Sequence, residues 1–93
     1  MDIFDFIKSK ISIMDVISEY VSLKKAGSYY KSPCPFHEEQ EASFTVSPDK
    51  GIFYCFGCHA TGDVISFISK KENLSLIEAV NFLVDKYKIE VPD

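Results

Sequence analysis

The chain contains no arginine: its ten basic residues are all lysine, set against fourteen acidic ones, for a net charge of −4. A conventional basic footprint is therefore missing, and any nucleic-acid contact has to be weak or shared with another domain. The charge is unevenly spread. Residues 1–21 hold two lysines and four acids, residues 61–93 hold four lysines and six acids, and the middle is balanced at four of each. Long apolar runs are also missing, since none approaches the roughly 20 residues that span a bilayer. The first ten residues, MDIFDFIKSK, alternate charged and apolar groups, unlike a secretory leader. Repeats, low-complexity tracts and Gly/Ser linkers are absent too. Cysteine is scarce and odd in number, at three, which excludes a fully paired disulfide scaffold and fits a reducing compartment. The expectation is one soluble, cytoplasmic domain over residues 1–93 with no membrane partner.

A chain of 93 residues buries only roughly 60–65% of the surface that its unfolded form exposes, so a hydrophobic core alone is marginal and a staple is expected. Periodicity shows what that core is made of. Ile13, Val16, Ile17 and Tyr20 have amphipathic-helix spacing, with Ser12 and Asp15 as a capping pair, and Ile3, Phe6 and Ile7 predict one or two helical turns before them. From Val21 to Tyr54 the pattern changes to short β-rich segments: 21–24, 29–31, 43–47 and 52–54. Ala26-Gly27-Ser28 and Pro48-Asp49-Lys50-Gly51 are the turns between them. Phe44 and Val46 fall on one strand face and Thr45 on the other. Helical spacing returns at Val64, Phe67 and Ile68, and Asn73 interrupts it. Ser75 and Glu78 then form a capping box before Leu76, Ala79, Val80, Leu83 and Tyr87. The fold class is α+β: a zinc ribbon with a small antiparallel β-sheet flanked by short α-helices.

The staple is legible in the ligand spacing. Cys34-Pro35-Phe36-His37 is followed, after seventeen residues, by Cys55-Phe56-Gly57-Cys58. Two such pairs separated by ~15–20 residues have the arithmetic of a zinc ribbon. An x₂ gap turns backbone amides toward the first thiolate of each pair, and Gly57 can supply a left-handed conformation in the second turn. The hairpin tip at residues 48–51 lies midway between the pairs, so the strands come out nearly equal in length. Four protein ligands leave no open coordination position, which makes one Zn²⁺ structural rather than catalytic. Apparent binding energies of ~10–16 kcal/mol for such sites mean that folding and metal loading are one event. Three other readings of these residues remain: Cys34 as a buried thiol with His37 a solvated turn residue, which two matched pairs flanking a hairpin disfavour; a redox Cys55-x-x-Cys58, which lacks the βαβ context it needs; and His59 in place of His37, disfavoured because Cys58 directly precedes it.

These residues resemble a known family. Ser32-Pro-Cys-Pro-Phe-His37, Ser43-Phe-Thr-Val-Ser-Pro48, Phe53-Tyr-Cys-Phe-Gly-Cys58 and Gly62-Asp63 are similar to the CHC2 zinc finger of bacterial DnaG-type DNA primases. Ile13 to Lys25 is similar to that family's leading helix and first strand, and Leu74 to Val80 to its closing helix. The resemblance implies a zinc ribbon on short helices that binds single-stranded DNA template and helps start RNA primers. It also implies a polymerase domain as partner, in cis or in trans, and a replicative helicase reached only through regions absent here. No catalytic residues are expected in these residues, so the nucleotidyltransferase chemistry would lie elsewhere. Where the family usually reads Glu-Lys-Thr-Pro-Ser-Phe, this chain reads Glu39-Gln-Glu-Ala-Ser-Phe44, losing a cation and gaining an anion, and His59 stands where the family tends to carry glycine.

Single strands are held by aromatic platforms and a few cations. The candidates are Tyr29, Tyr30, Phe44, Phe53, Tyr54 and Phe56, with Lys24, Lys25, Lys31 and Lys50 nearby, and strand alternation puts about half of the aromatics in the core. The expected contacts are Tyr30, Lys31, Lys50 and Tyr54, because a buried tyrosine hydroxyl needs a partner. Lys24 and Lys25 read as a solvated face, and Lys70 and Lys71, beside Glu72, as solubility charges. The rival reading is a protein-interaction ribbon that docks a replication partner without touching DNA; a stand-alone regulator that borrowed the domain is a third.

Overall fold

The computed structural model describes residues 2–36 and 43–91. Two short helices, α1 (Ile3–Lys10) and α2 (Ile13–Ile17), precede a sheet of β1 (Lys24–Ala26), β2 (Tyr29–Ser32), β3 (Phe44–Ser47), β4 (Ile52–Cys55) and β5 (Thr61–Gly62), and α3 (Val64–Glu72) and α4 (Leu76–Tyr87) close the chain. The sheet is an antiparallel meander in the order β1-β2-β3-β4-β5.

Each helix begins where a side chain satisfies its orphan amides. Asp2 accepts from the Asp5 N–H at 2.8 Å, and Ser12 from the Met14 N–H at 3.2 Å rather than pairing with Asp15. Asp63 accepts from the Ser66 N–H at 2.9 Å. Ser75 and Glu78 form the reciprocal box, with bonds of 2.9 and 3.1 Å. Asn73 ends α3 in the left-handed conformation, φ 57°, which explains the break in the apolar stripe.

Cross-strand pairing sorts the side chains onto two faces. Lys25, Tyr30, Val46, Phe53 and Gly62 lie in one row, and Lys24, Lys31, Thr45, Tyr54 and Thr61 in the next. Rows one residue apart point to opposite sides. The first side is covered by the helices: Phe44, Val46, Phe53 and Phe67 are fully buried. Phe36 joins Phe44, Phe53 and Phe67 at ring-centroid distances of 5.4–5.9 Å, so the core is centred on an aromatic cluster. Among the described residues, no helix residue lines the depression on the second side.

Three expectations need correcting. The first strand is Lys24–Ala26, not 21–24; Val21 and Leu23 instead pack on the core from an irregular segment. Leu76 is half exposed, outside the buried stripe of α4. A fifth strand, two residues long, had no forewarning. Among the described residues, no helix is long and apolar enough to cross a membrane.

Candidate functional site

Cys34 directly follows β2 and its bend, Cys55 ends β4, and Cys58 lies in the β4–β5 turn. Pairing of β2 with β3 and of β3 with β4 brings these two turns together. The three sulfurs lie within 4.8 Å of one another, with Cys34 Sγ and Cys58 Sγ 3.8 Å apart. A tetrahedron built on ~2.3 Å Zn–S bonds has edges of about 3.8 Å, so the spacing suits the ion. Cys34 and Cys55 are buried and Cys58 is exposed.

The electrostatics also fit a cation. The Phe36 N–H points at Cys34 Sγ from 3.4 Å. Burial pushes the Cys34 thiol up to about 12, with the neighbouring cysteines adding to the rise against the Phe36 amide. At Cys55 burial acts in the same direction, yet the amides of Cys58 and Gly57 and the hydroxyl of Ser43, 3.6 Å away, bring it down to about 7. Crowded soft donors of this kind carry their negative charge together when a divalent ion sits among them. The expected amide-to-thiolate geometry is present in both turns. The left-handed residue of the second turn, however, is His59 (φ 64°) and not Gly57. The turn closes through Cys55 N–H to Ala60 O at 2.9 Å and His59 N–H to Cys55 O at 2.8 Å.

Of the two histidines, His37 lies outside the described residues. His59 is not part of the sulfur cluster. Its Nδ1 is 3.2 Å from the Tyr54 hydroxyl instead. Lys70 and Lys71 are not mere solubility charges. The Lys71 ammonium donates to Pro35 O at 3.0 Å, and Lys70 lies over the Phe36 ring at 5.9 Å. The C-terminal turn of α3 is thereby tied to the Cys34 turn, two elements 36 residues apart in sequence.

Of the expected nucleic-acid contacts, Lys31, Lys50 and Tyr54 line one shallow depression on the uncovered sheet face. Tyr30 does not. It pairs with Val46 on the helix side and packs half-buried against the core. Its neighbour Tyr29 lines the depression instead, together with Ile52 and Phe56. Tyr29 is 44% exposed and Phe56 67%, and Phe56 sits edge-on to Tyr54 at 4.8 Å. Among the described residues, no carboxylate lines this depression. Lys24 and Lys31 are direct cross-strand neighbours, an arrangement that repels unless an anion lies between them. On the floor, Thr45 Oγ1 is buried with no hydrogen-bond partner among the described residues. The strand parity that admits Tyr29 and rejects Tyr30 was the signal missed.

A zinc-stapled antiparallel ribbon on short helices is the class that this fold and site define. The whole chain, residues 1–93, matches the family described as the CHC2 zinc finger. It is 47% identical over 92 residues to the DNA primase of Clostridium acetobutylicum, covering 99% of this chain and 15% of that protein. To the DNA primase of Helicobacter pylori strain J99 it is 49% identical over 85 residues, covering 91% of this chain and 15% of that one. The crystal structure of the Aquifex aeolicus primase (zinc binding and RNA polymerase domains) superposes with a TM-score of 0.89 at 44% identity, over 99% of this chain and 23% of that chain. The chain belongs to the CHC2 zinc finger family, is a DNA primase zinc-binding domain, and binds a structural zinc ion. It spans about 15% of the length of the curated relatives it matches.

Proposed function

We propose that this chain presents single-stranded DNA template to a primase polymerase domain and so helps to start RNA primers in the bacterial cytoplasm. Cys34, Cys55 and Cys58 hold the zinc, with His37 as the fourth ligand, and the ion has a structural role. The template lies on the uncovered sheet face, where Lys31 and Lys50 meet phosphates and Tyr54, Tyr29 and Phe56 offer rings to bases. Tyr30, on the helix side, is not part of that surface. Residues 1–93 act as a single domain with no catalytic group of their own; nucleotide transfer belongs to the polymerase domain, supplied in cis or in trans. The observation that carries this reading is the juxtaposition, on the sheet side away from the buried core, of aromatic rings and lysines with no carboxylate among the described residues that line it.

Titration of fluorescein-labelled oligothymidylate with the zinc-loaded chain at low and moderate salt tests the proposal. Two lysine–phosphate contacts give a slope of log K against log salt of about −1.4. The competing reading, a ribbon that docks a protein partner, draws on the overall charge of −4 and on the apolar Ile52 and Phe56 of the same face, 41% and 67% exposed. It predicts no binding at high micromolar protein. A salt-independent association would count against phosphate contact as well.

A further inference from the structure

His59 occupies a left-handed turn position, φ 64°, which glycine adopts at no steric cost and which is uncommon for residues that carry a Cβ, histidine and asparagine being among those enriched there. Its ring ligates nothing in the sulfur cluster and is exposed. Among the described residues it meets the rim of the open face: Nδ1 lies 3.2 Å from the Tyr54 hydroxyl and the two ring centroids are 6.4 Å apart. Tyr54 is in turn held edge-on to Phe56 at 4.8 Å. Tyr54 of β4 thus contacts two rings that follow the strand, Phe56 and His59.

We propose that His59 is a positioning residue of the template surface, anchoring the Tyr54 hydroxyl so that the Tyr54 ring is already set where a base stacks. The inference rests on the reading of the open face as a single-strand surface. The physical reason is preorganisation. A half-exposed tyrosine tethered only at Cβ has to be ordered when the strand arrives, and that ordering weakens binding. A hydrogen bond at the far end of the ring removes most of this cost beforehand. Glycine would suit the backbone of the turn better than histidine does, so what the side chain contributes is the contact to Tyr54.

The test separates folding from binding. His59→Gly relieves the backbone and removes the anchor, whereas His59→Asn keeps a left-handed conformer and a polar group within reach of the hydroxyl. With fluorescein-labelled oligothymidylate and zinc-loaded protein, His59→Gly is expected to weaken binding about threefold to tenfold, with an unchanged or raised melting temperature. His59→Asn should bind within about twofold of the unsubstituted chain. If His59→Gly binds like the unsubstituted chain while Tyr54→Ala is weakened, the positioning role is wrong and the surface stands. If Tyr54→Ala also binds normally, the surface reading itself fails. A His59→Gly protein that loses affinity in step with its melting temperature, without recovery in His59→Asn, shows a purely structural residue and overturns the proposal.

Discussion

Gly62 couples the sheet to α3, and replacing it with alanine gives a worked test of the packing. Its φ of 155° is a conformation that side chains rarely adopt, and an added Cβ would sit 2.6 Å from Ser66 Cβ and 2.9 Å from Ser66 Oγ, with Phe53 Cε2 at 3.5 Å. Carbon atoms in contact lie about 3.5–4.0 Å apart, so the overlap exceeds what a small adjustment absorbs. Ser66 cannot retreat freely either, because its N–H is bonded to Asp63 at 2.9 Å in the first turn of α3. Backbone strain of ~1–3 kcal/mol and overpacking of ~1–3 kcal/mol together give about 2–6 kcal/mol. At roughly 4–8 °C per kcal/mol for a domain of this size, the melting temperature should fall by at least about 8 °C. Thermal unfolding of the zinc-loaded chain, followed by circular dichroism, measures it. Gly27→Ala is the control: Gly27 also has positive φ, 69°, but nothing lies within 4 Å of its added Cβ, so only the backbone cost of ~1–2 kcal/mol applies. Adding Ser66→Gly to Gly62→Ala should recover the overlap part, seen as coupling in a double-mutant cycle. Equal losses for Gly62→Ala and Gly27→Ala, or no coupling to Ser66, would refute the reasoning.

Cys55→Ser should leave the chain unfolded, since it removes one donor from a buried cluster whose metal contributes ~10–16 kcal/mol; an unchanged circular dichroism spectrum, or a folded protein in excess chelator, would contradict this. Tyr54→Ala should weaken oligothymidylate binding by about fivefold or more with little loss of stability, whereas a large fall in melting temperature would mark Tyr54 as core. Phe67→Ala, at the centre of the buried ring cluster, should cost ~3–5 kcal/mol, measured by urea unfolding of the zinc-loaded chain. Lys71→Met removes the ammonium bond to Pro35 at the surface and should cost only about 0.5–1 kcal/mol; a variant that cannot retain zinc against a competing chelator would show a stronger coupling than this.

The helix boundaries were readable because caps are local: Ser75 with Glu78, and Asn73, act within one turn of the residues they serve. The 48–51 turn was readable for the same reason, and its Gly51 has the positive φ, 67°, that such a turn needs. Long-range choices were not readable. Tyr29 and Tyr30 are adjacent and chemically alike, and only the pairing of Tyr30 with Val46 decides which one faces the helices; a slip of one residue would exchange them. The first strand was misplaced because Val21 and Leu23 are good strand formers used for packing, while Lys24–Ala26 pairs on account of the Gly27 turn. Lys70 and Lys71 looked like solvent charges because their partners, Phe36 and Pro35, lie far away in the chain.

An antiparallel sheet covered on one face usually turns polar side chains toward water on the other. Here that second face keeps Tyr29, Ile52 and Phe56 exposed at 44%, 41% and 67%, which costs solubility and adds nothing to the core. A chain this small has four short helices, and all of the buried helical residues serve the opposite side. The core on that side is small, and the sulfur cluster at the ends of β2 and β4 adds the staple that a domain of this size needs. Zinc ties the strand ends together from outside the sheet, so the second face need not be covered to secure them. That arrangement leaves the second face open, with Lys31 and Lys50 beside the rings of Tyr29, Tyr54 and Phe56. Metal and open face are in this sense linked: a staple at the strand ends supports a sheet that has a core on one side alone.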